Sequence, residues 1–221
     1  AAPYIAYCAN LGIINGKGDG TFGPEEPVTG TAAAKMFLCA LGYRADIEGL
    51  TGTGWDLNTD SLANKVGLYD DMSIVPSNGL SRDNTAQLIY NGVQAQEVEY
   101  RNNYGEYSGV IYAQPNGTIL ENRFNVRKVE GVVEATSLIA LSGNTTVDGK
   151  TRLSQIEYNG SRYDANNKSW GDVTYPIAID SNLLGQRVVI YVKGLNALSP
   201  NATSMEVVGT AIVSDDNAVV E

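Results

Sequence analysis

The chain has 221 residues, 43% of them hydrophobic. That is enough to bury a core as one large domain or two modest ones, and it excludes disorder as the main state. The 15 Lys and Arg against 25 Asp and Glu leave a net charge of −10 with no basic face, which excludes nucleic acid, a partner that rewards clustered cations. Histidine is absent, removing Ser-His-Asp and Cys-His catalysis, HExxH-type zinc chemistry and any imidazole acid–base role. Carboxylate hydrolysis and calcium sites survive this filter.

In chain order, residues 1–95 carry helical patterns, and they do so twice. Leu11-Gly12-Ile13 aligns with Val66-Gly67-Leu68 at an offset of 55, and Val28-Thr29 aligns with Leu80-Ser81 at an offset of 52. The spacing predicts an apolar stripe on the second helix of each unit: Ala33, Met36, Phe37, Ala40 and Leu41, then Thr85, Leu88, Ile89, Gly92 and Val93. Thr29 and Ser81 stand where N-caps belong, with hydroxyls able to accept from first-turn amides. On the first helix, Ile5, Cys8, Ala9 and Gly12 form the expected inward stripe. Cys39 falls off the stripe of its own helix, so Cys8 and Cys39 read as two free thiols. Between the helices of the first unit runs GIINGKGDGTFGPEEPVT, whose glycines permit turns and whose prolines stop regular structure. Phe22, its one large apolar residue, is expected to pin the loop to the core. No run reaches the ~18 apolar residues of a membrane span.

These residues resemble the S-layer homology repeat, the cell-wall-anchoring module of bacterial surface proteins. The resemblance rests on Ile5, Gly12-Ile13-Ile14-Asn15-Gly16, Asp19-Gly20-Thr21-Phe22-Gly23-Pro24 and Val28-Thr29, and on Trp55, which precedes Gly67 by 12, the family spacing of the helix-start Trp. Counting back 12 from Gly12 lands one position before Ala1, so the chain is expected to begin partway into a repeat of a longer protein. The family opens its second helix with Thr-Arg-Ala-Glu; here the first unit reads Thr29-Gly30-Thr31-Ala32 and the second Ser81-Arg82-Asp83-Asn84. In the family this Arg helps hold an acidic sugar at a helix start. The resemblance therefore implies Arg82, Ser81, Trp55 (as a sugar-stacking surface) and Thr29 as ligand-binding residues. It also implies a non-enzymatic, extracellular cell-surface protein with no cofactor. Its partner would be an anionic secondary cell-wall polysaccharide, with further repeats upstream or self-association beside it. The loss of Arg and Glu from the first unit leaves open a structural or assembly role without wall binding.

Past Gln96 the texture changes to Val, Ile, Thr and Tyr punctuated by Asn-Gly and Asp-Gly turns. The boundary is placed there: 1–96 as two helix-loop-helix repeats, the first truncated at its start, and 97–221 as a β-rich module. Within the module a strand is expected over Tyr107–Ala113, a turn at Pro115-Asn116-Gly117, and a capping box at Thr118–Glu121 opening a short helix through Phe124. A long strand follows over Val126–Leu141, with Gly131 as a bulge or bend. Hairpin turns fall at Asp148-Gly149 and Asn159-Gly160, a helical turn at Asp180–Gly185, and closing strands at Arg187–Lys193, Met205–Val213 and Ala218–Val220. The fold class is thus α+β: helical repeats, then a small all-β barrel, OB-like in outline, or a sandwich.

The remaining chemistry reads as structural. The loop Asn15–Gly20 offers one carboxylate, Asp19, where calcium wants six to eight oxygens. Asp70-Asp71 and Asp215-Asp216 are adjacent pairs suited to turns rather than to a hydrolase dyad spanning a cleft, which leaves a carboxylate-based wall hydrolase as the weakest alternative. Trp170, Tyr158, Tyr163, Tyr175 and Tyr191 could form an aromatic binding face, although strand tyrosines are more often half-buried sheet residues. The Asn-x-Ser/Thr sites at Asn116, Asn144, Asn159, Asn167 and Asn201 read as Asn-rich turns.

Overall fold

The computed structural model describes residues 2–18, 20–101, 111–113, 117–158, 161, 168–194 and 205–214. The chain divides into two compact units, Ala1–Asn122 and Arg123–Glu221.

The first unit carries helices α1 (Ala2–Asn10), α2 (Gly30–Ala40), α3 (Trp55–Lys65) and α4 (Arg82–Gln94), a short antiparallel pair β1 (Glu99–Arg101) and β2 (Ile111–Ala113), and the start of α5 (Ile119–Phe124). The internal repeat is written into its hydrogen bonds. Ile13 N–H bonds Cys8 O and Gly12 N–H bonds Ala9 O; at the same offset, Leu68 bonds Ala63 O and Gly67 bonds Asn64 O. Both are Schellman ends, closing orphan carbonyls through a left-handed glycine, Gly12 at φ 71 and Gly67 at φ 76. The second helices match likewise: the Thr29 hydroxyl accepts from Ala32 N–H and that of Ser81 from Asn84 N–H, both at 3.1 Å.

Burial departs from the expected stripes. On α2 the buried residues are Gly30, Thr31, Ala34 and Leu38; Leu41, beyond the helix end, is buried as expected, whereas Ala33, Met36, Phe37 and Ala40 are half-buried. The reason is that α2 has two neighbours: Thr31 donates to Asp60 of α3 at 3.1 Å, while Phe37 lies against Gly92 of α4. The buried face therefore sits between the two contacts. On α4, Leu88 and Gly92 are buried as expected, but Thr85 and Ile89 are exposed. No residue of α1 is buried; Ile5 and Cys8 are half-buried and Ala9 is exposed. Phe22 is 41% exposed and belongs to no core. The helical core comprises Ala34, Leu38, Leu41, Leu50, Ala63, Leu68, Tyr69 and Leu88. Cys8 and Cys39 are both free thiols.

The units part after Asn122 rather than at the texture change near Gln96. Residues just past Gln96 hold on to the helices: Val98 N–H bonds Leu41 O at 2.7 Å, the Tyr100 hydroxyl donates to Glu48 at 2.9 Å, and Ile119 packs on the helical core. The capping box forms as the sequence predicts, with Thr118 N–H to Glu121 Oε2 at 3.1 Å and Glu121 N–H to Thr118 Oγ1 at 3.3 Å.

The second unit is one curled antiparallel sheet, a half-barrel of order β5-β4-β3-β6-β7. Its strands are β3 (Val126–Ala135), β4 (Thr151–Tyr158), β5 (Val173–Tyr175), β6 (Arg187–Lys193) and β7 (Glu206–Val213). Among the described residues it is a single sheet, not two stacked ones. Gly131 marks a register shift between Glu130 and Val132, and a Cβ there would stand 3.0 Å from Ser154 O, so the expected bulge is present. β3 stops at Ala135 instead of running to Leu141. The Thr136 hydroxyl accepts from Leu138 and Ile139 N–H, and this local turn replaces the ladder. A 3-10 turn over Ser181–Leu183, capped by Asp180, fills the expected helical turn. The segments 102–110, 114–116, 159–160 and 215–221, with parts of the expected first strand, the Asn159-Gly160 hairpin and the Ala218–Val220 strand, lie outside the described residues, as does Tyr163.

Three aromatic residues of this unit, Tyr158, Trp170 and Tyr175, pack into its core. Tyr175 is fully buried, its hydroxyl 3.0 Å from that of Tyr158, and Trp170 meets Tyr158 edge-on at 4.8 Å. They serve the core, not a binding face. Burial holds both phenols above the ordinary tyrosine range, and the Tyr158 ring adds to the effect on Tyr175. In the helical unit burial and the neighbouring Asp60 carboxylate do the same to Tyr69. Unfolding lets these phenols ionise at about pH 10 while the folded protein keeps them neutral. Stability is therefore full below about pH 10 and falls as pH rises beyond it. Thermal midpoints taken across that range should drop steeply, and Tyr175→Phe should flatten the drop for the β-rich unit.

Candidate functional site

One groove stands out in the helical unit, with a volume of about 490 Å³. Its walls come from three consecutive elements. The Ile13–Gly18 turn and Phe22 supply one side. The start of α2, with Thr29, Ala32, Lys35 and Met36, supplies the floor, and Trp55 at the start of α3 closes it. The glycines of the turn hold left-handed conformations, and at Gly16 (φ 67) a Cβ would meet Thr21 O at 2.6 Å. The turn is thus tight by necessity, which leaves its backbone bare along the groove. Phe22 lines this groove instead of pinning the loop to the core.

The electrostatics of the groove reduce to two cations and one acid. Lys17 Nζ is held by Glu26 Oε1 at 2.5 Å on the rim. Lys35 makes no ion pair among the described residues; its ammonium lies 5.4 Å from the centroid of the Trp55 ring. A lysine held over an indole is attracted by the ring quadrupole yet keeps its hydrogen-bond donors for a ligand. The same contact covers one face of the indole, so Trp55 positions a charge as well as offering an apolar surface.

The four residues singled out in the sequence fall in two places. Thr29 and Trp55 are half-buried and line the groove. Ser81 caps α4 and Arg82 opens it, exposed and outside the groove lining. The helix starts also differ. At α2 the first amides are spoken for: Gly30 N–H bonds Asn78 O, Thr31 N–H bonds Pro76 O and Ala32 N–H bonds Thr29. The start of α2 therefore offers no free anion site in these first amides. Lys35 is the residue that sequence reasoning missed. It sits 20 positions before Trp55, and nothing in a linear pattern joins them; only the packing of α2 on α3 does.

No cysteine lines the groove among the described residues. Cys39 is half-buried, and burial raises its thiol pKa more than the nearby Lys35 lowers it, so alkylation at neutral pH should be slow compared with a solvent-exposed thiol. Asp70 and Asp71 serve a turn: Asp71 is left-handed at φ 58 and Asp70 O accepts from Asn91. Asp19 and Asp215-Asp216 lie outside the described residues.

The groove thus lies beside the glycine turn of the first helix-loop-helix repeat. Residues 1–34 match the S-layer homology domain, a cell-wall-binding module of cell-surface proteins. The match covers α1, the glycine-rich loop and the Thr29 cap, and stops just before Lys35. No curated protein and no solved structure matches the chain. Among the described residues, no helix is long and apolar enough to cross a membrane.

Proposed function

We propose that this protein is a non-enzymatic, extracellular component of a bacterial surface. Its helical repeats anchor it non-covalently to an anionic secondary cell-wall polysaccharide, and the groove of the first unit is the principal contact. The observation that carries this reading is the Lys35 ammonium poised over Trp55 beside the bare glycine turn. An acidic sugar entering the groove meets the Lys35 ammonium, which makes no ion pair among the described residues, backbone groups able to bond its hydroxyls, and an apolar ring edge. Local charge matters because the chain as a whole is at −10 and repels a polyanion at long range. Arg82, above the Ser81 cap at the start of α4, is a second, more exposed contact.

Binding of acid-released wall polymer, followed by titration calorimetry, tests the proposal. Lys35→Ala should weaken binding by about tenfold to a hundredfold, the worth of a charge-assisted contact, while Arg82→Ala should weaken it less. Binding that is absent, or unchanged in Lys35→Ala, would sink the groove as the site. Unchanged sedimentation with walls stripped of the polymer would sink the anchoring role.

The assembly reading draws on the second helix-loop-helix repeat, where Gln87 stands at the position of Lys35 and no second indole matches Trp55. That unit then serves packing rather than ligand. The β-rich unit is read as an OB-like small barrel. The sheet order β5-β4-β3-β6-β7, the bulged central strand and the 3-10 turn between β5 and β6 support it. Closure would bring the edges of β5 and β7 together.

A further inference from the structure

A second cleft lies within the β-rich unit, with a volume of about 340 Å³, toward the small end of the range for small-molecule sites. Three stretches of chain meet in it. Thr136, Ser137 and Leu138 turn out of β3, Gly149 and Lys150 lead into β4, and residues 178–181 follow β5 into the 3-10 turn. They are gathered because β3, β4 and β5 are neighbours in one sheet.

Each wall is fixed by bonds of its own. The Thr136 hydroxyl accepts from Leu138 and Ile139 N–H and stands 3.5 Å from that of Ser181, joining the first wall to the third. The second wall is closed by Lys150 N–H on Val147 O at 3.2 Å and by the Thr146 hydroxyl on Lys150 O at 2.6 Å. The third hangs on the Thr151 hydroxyl, which donates to Ile177 O at 2.8 Å and accepts from Ile179 N–H at 3.1 Å. Asp180 Oδ1 then caps the 3-10 turn at Asn182 N–H. Walls held in this way need little ordering when a ligand enters.

These bonds leave a matched set of groups unused. Lys150 and Asp180 both line the cleft and both are exposed. Neither enters an ion pair among the described residues, with each other or with any other group. Lys150 has committed only its backbone, and Asp180 one carboxylate oxygen. The bonded turn holds Leu138 80% exposed, while Ile179 is only 7% exposed and gives the cleft an apolar base. We propose that this cleft binds a small zwitterion of dipeptide size. Its carboxylate lies toward Lys150, its ammonium toward Asp180, and its aliphatic groups cover Leu138 and Ile179. A simple anion gains Lys150 but meets Asp180, and a simple cation meets the reverse. Only a ligand carrying both charges gains from both.

Nitrogen–proton correlation spectra of the full chain, titrated with L-alanyl-L-alanine, test this. Shifts should centre on residues 136–138, 149–150 and 178–181. N-acetylation removes the ligand's ammonium and C-amidation its carboxylate; each should weaken binding about fivefold, the worth of a partly exposed charge pair. Asp180→Asn keeps an oxygen to cap Asn182 and should bind the parent and N-acetyl forms equally. Lys150→Glu should reverse the preference and take the amide over the parent dipeptide. Lys65→Glu, the same change of charge at the exposed end of α3, should bind like the unaltered chain. The proposal is overturned by an absence of saturable shifts, by shifts centred elsewhere, or by a capped dipeptide that binds the unaltered chain as well as the parent does. An unchanged order of preference in Lys150→Glu overturns it equally.

Discussion

Arg187→Ala is expected to destabilise the β-rich unit by about 3–5 kcal/mol, the scale for removing one partner of a buried ion pair. Glu130 on β3 and Glu157 on β4 are direct register partners, so two like charges face one another across the ladder, an arrangement that is unfavourable by itself. Arg187 on β6 resolves it. Its Nε bonds Glu130 at 3.0 Å, its Nη2 pairs with Glu157, and the three side chains are only 10%, 14% and 15% exposed. The Ser214 hydroxyl adds a bond to Glu130 at 2.6 Å, tying the end of β7 to the same cluster. Removing the guanidinium leaves two carboxylates opposed with little water to screen them. Urea unfolding followed by Trp170 fluorescence in a Trp55→Phe background measures the loss. Glu130→Gln with Glu157→Gln should recover most of it in the Arg187→Ala protein. If the single substitution costs less than about 1 kcal/mol, the level of an exposed pair, the cluster is not what holds the sheet register.

Gly42→Ala is expected to cost the helical unit about 2–5 kcal/mol, from two separate effects. Gly42 ends α2 at φ 103, where an L side chain is strained by about 1–2 kcal/mol. A Cβ there would also stand 2.1 Å from Val98 O, a contact that forces backbone to move, and overpacking of this kind costs about 1–3 kcal/mol. The displaced carbonyl belongs to the residue whose N–H bonds Leu41 O at 2.7 Å, so the substitution strikes the link that joins residues 97–122 to the helices. Gly52→Ala separates the effects. Gly52 also has a positive φ, 78, but nothing lies near its would-be Cβ, so it should show the conformational cost alone. Equal losses in the two variants, read by Trp55 fluorescence in a Trp170→Phe background, would refute the close-contact argument.

Local features were legible in the sequence because each is set within a few residues. The Schellman glycines Gly12 and Gly67, the caps Thr29 and Ser81, the Thr118–Glu121 capping box, the Asp180 turn and the Gly131 bulge all follow from backbone chemistry at short range. The stripe on α2 falls one step from the one the periodicity predicts, because periodicity assumes one buried face, whereas on α4 Leu88 and Gly92 are buried as expected. α2 has neighbours on two sides, and its burial centres on Ala34 and Leu38 between them. The β-like composition past Gln96 hid the attachment of Val98 and Tyr100 to the helices, since a strand propensity does not say which core the strand serves. β3 looked continuous to Leu141 because its apolar residues continue, while a single hydroxyl, that of Thr136, turns the chain out of the sheet.

The absence of histidine, the acidic balance and the repeated glycine-turn motif were fixed by composition and order alone, and with them the exclusion of imidazole chemistry and the resemblance to a wall-binding repeat. Which residues share the groove was decided only by tertiary structure. Thr29 and Trp55 come together there, Arg82 does not, and the cation beside the indole is Lys35. The physical reason is that a helix start is specified by its own first turn, whereas a site between helices depends on how their side chains pack across positions far apart in the chain.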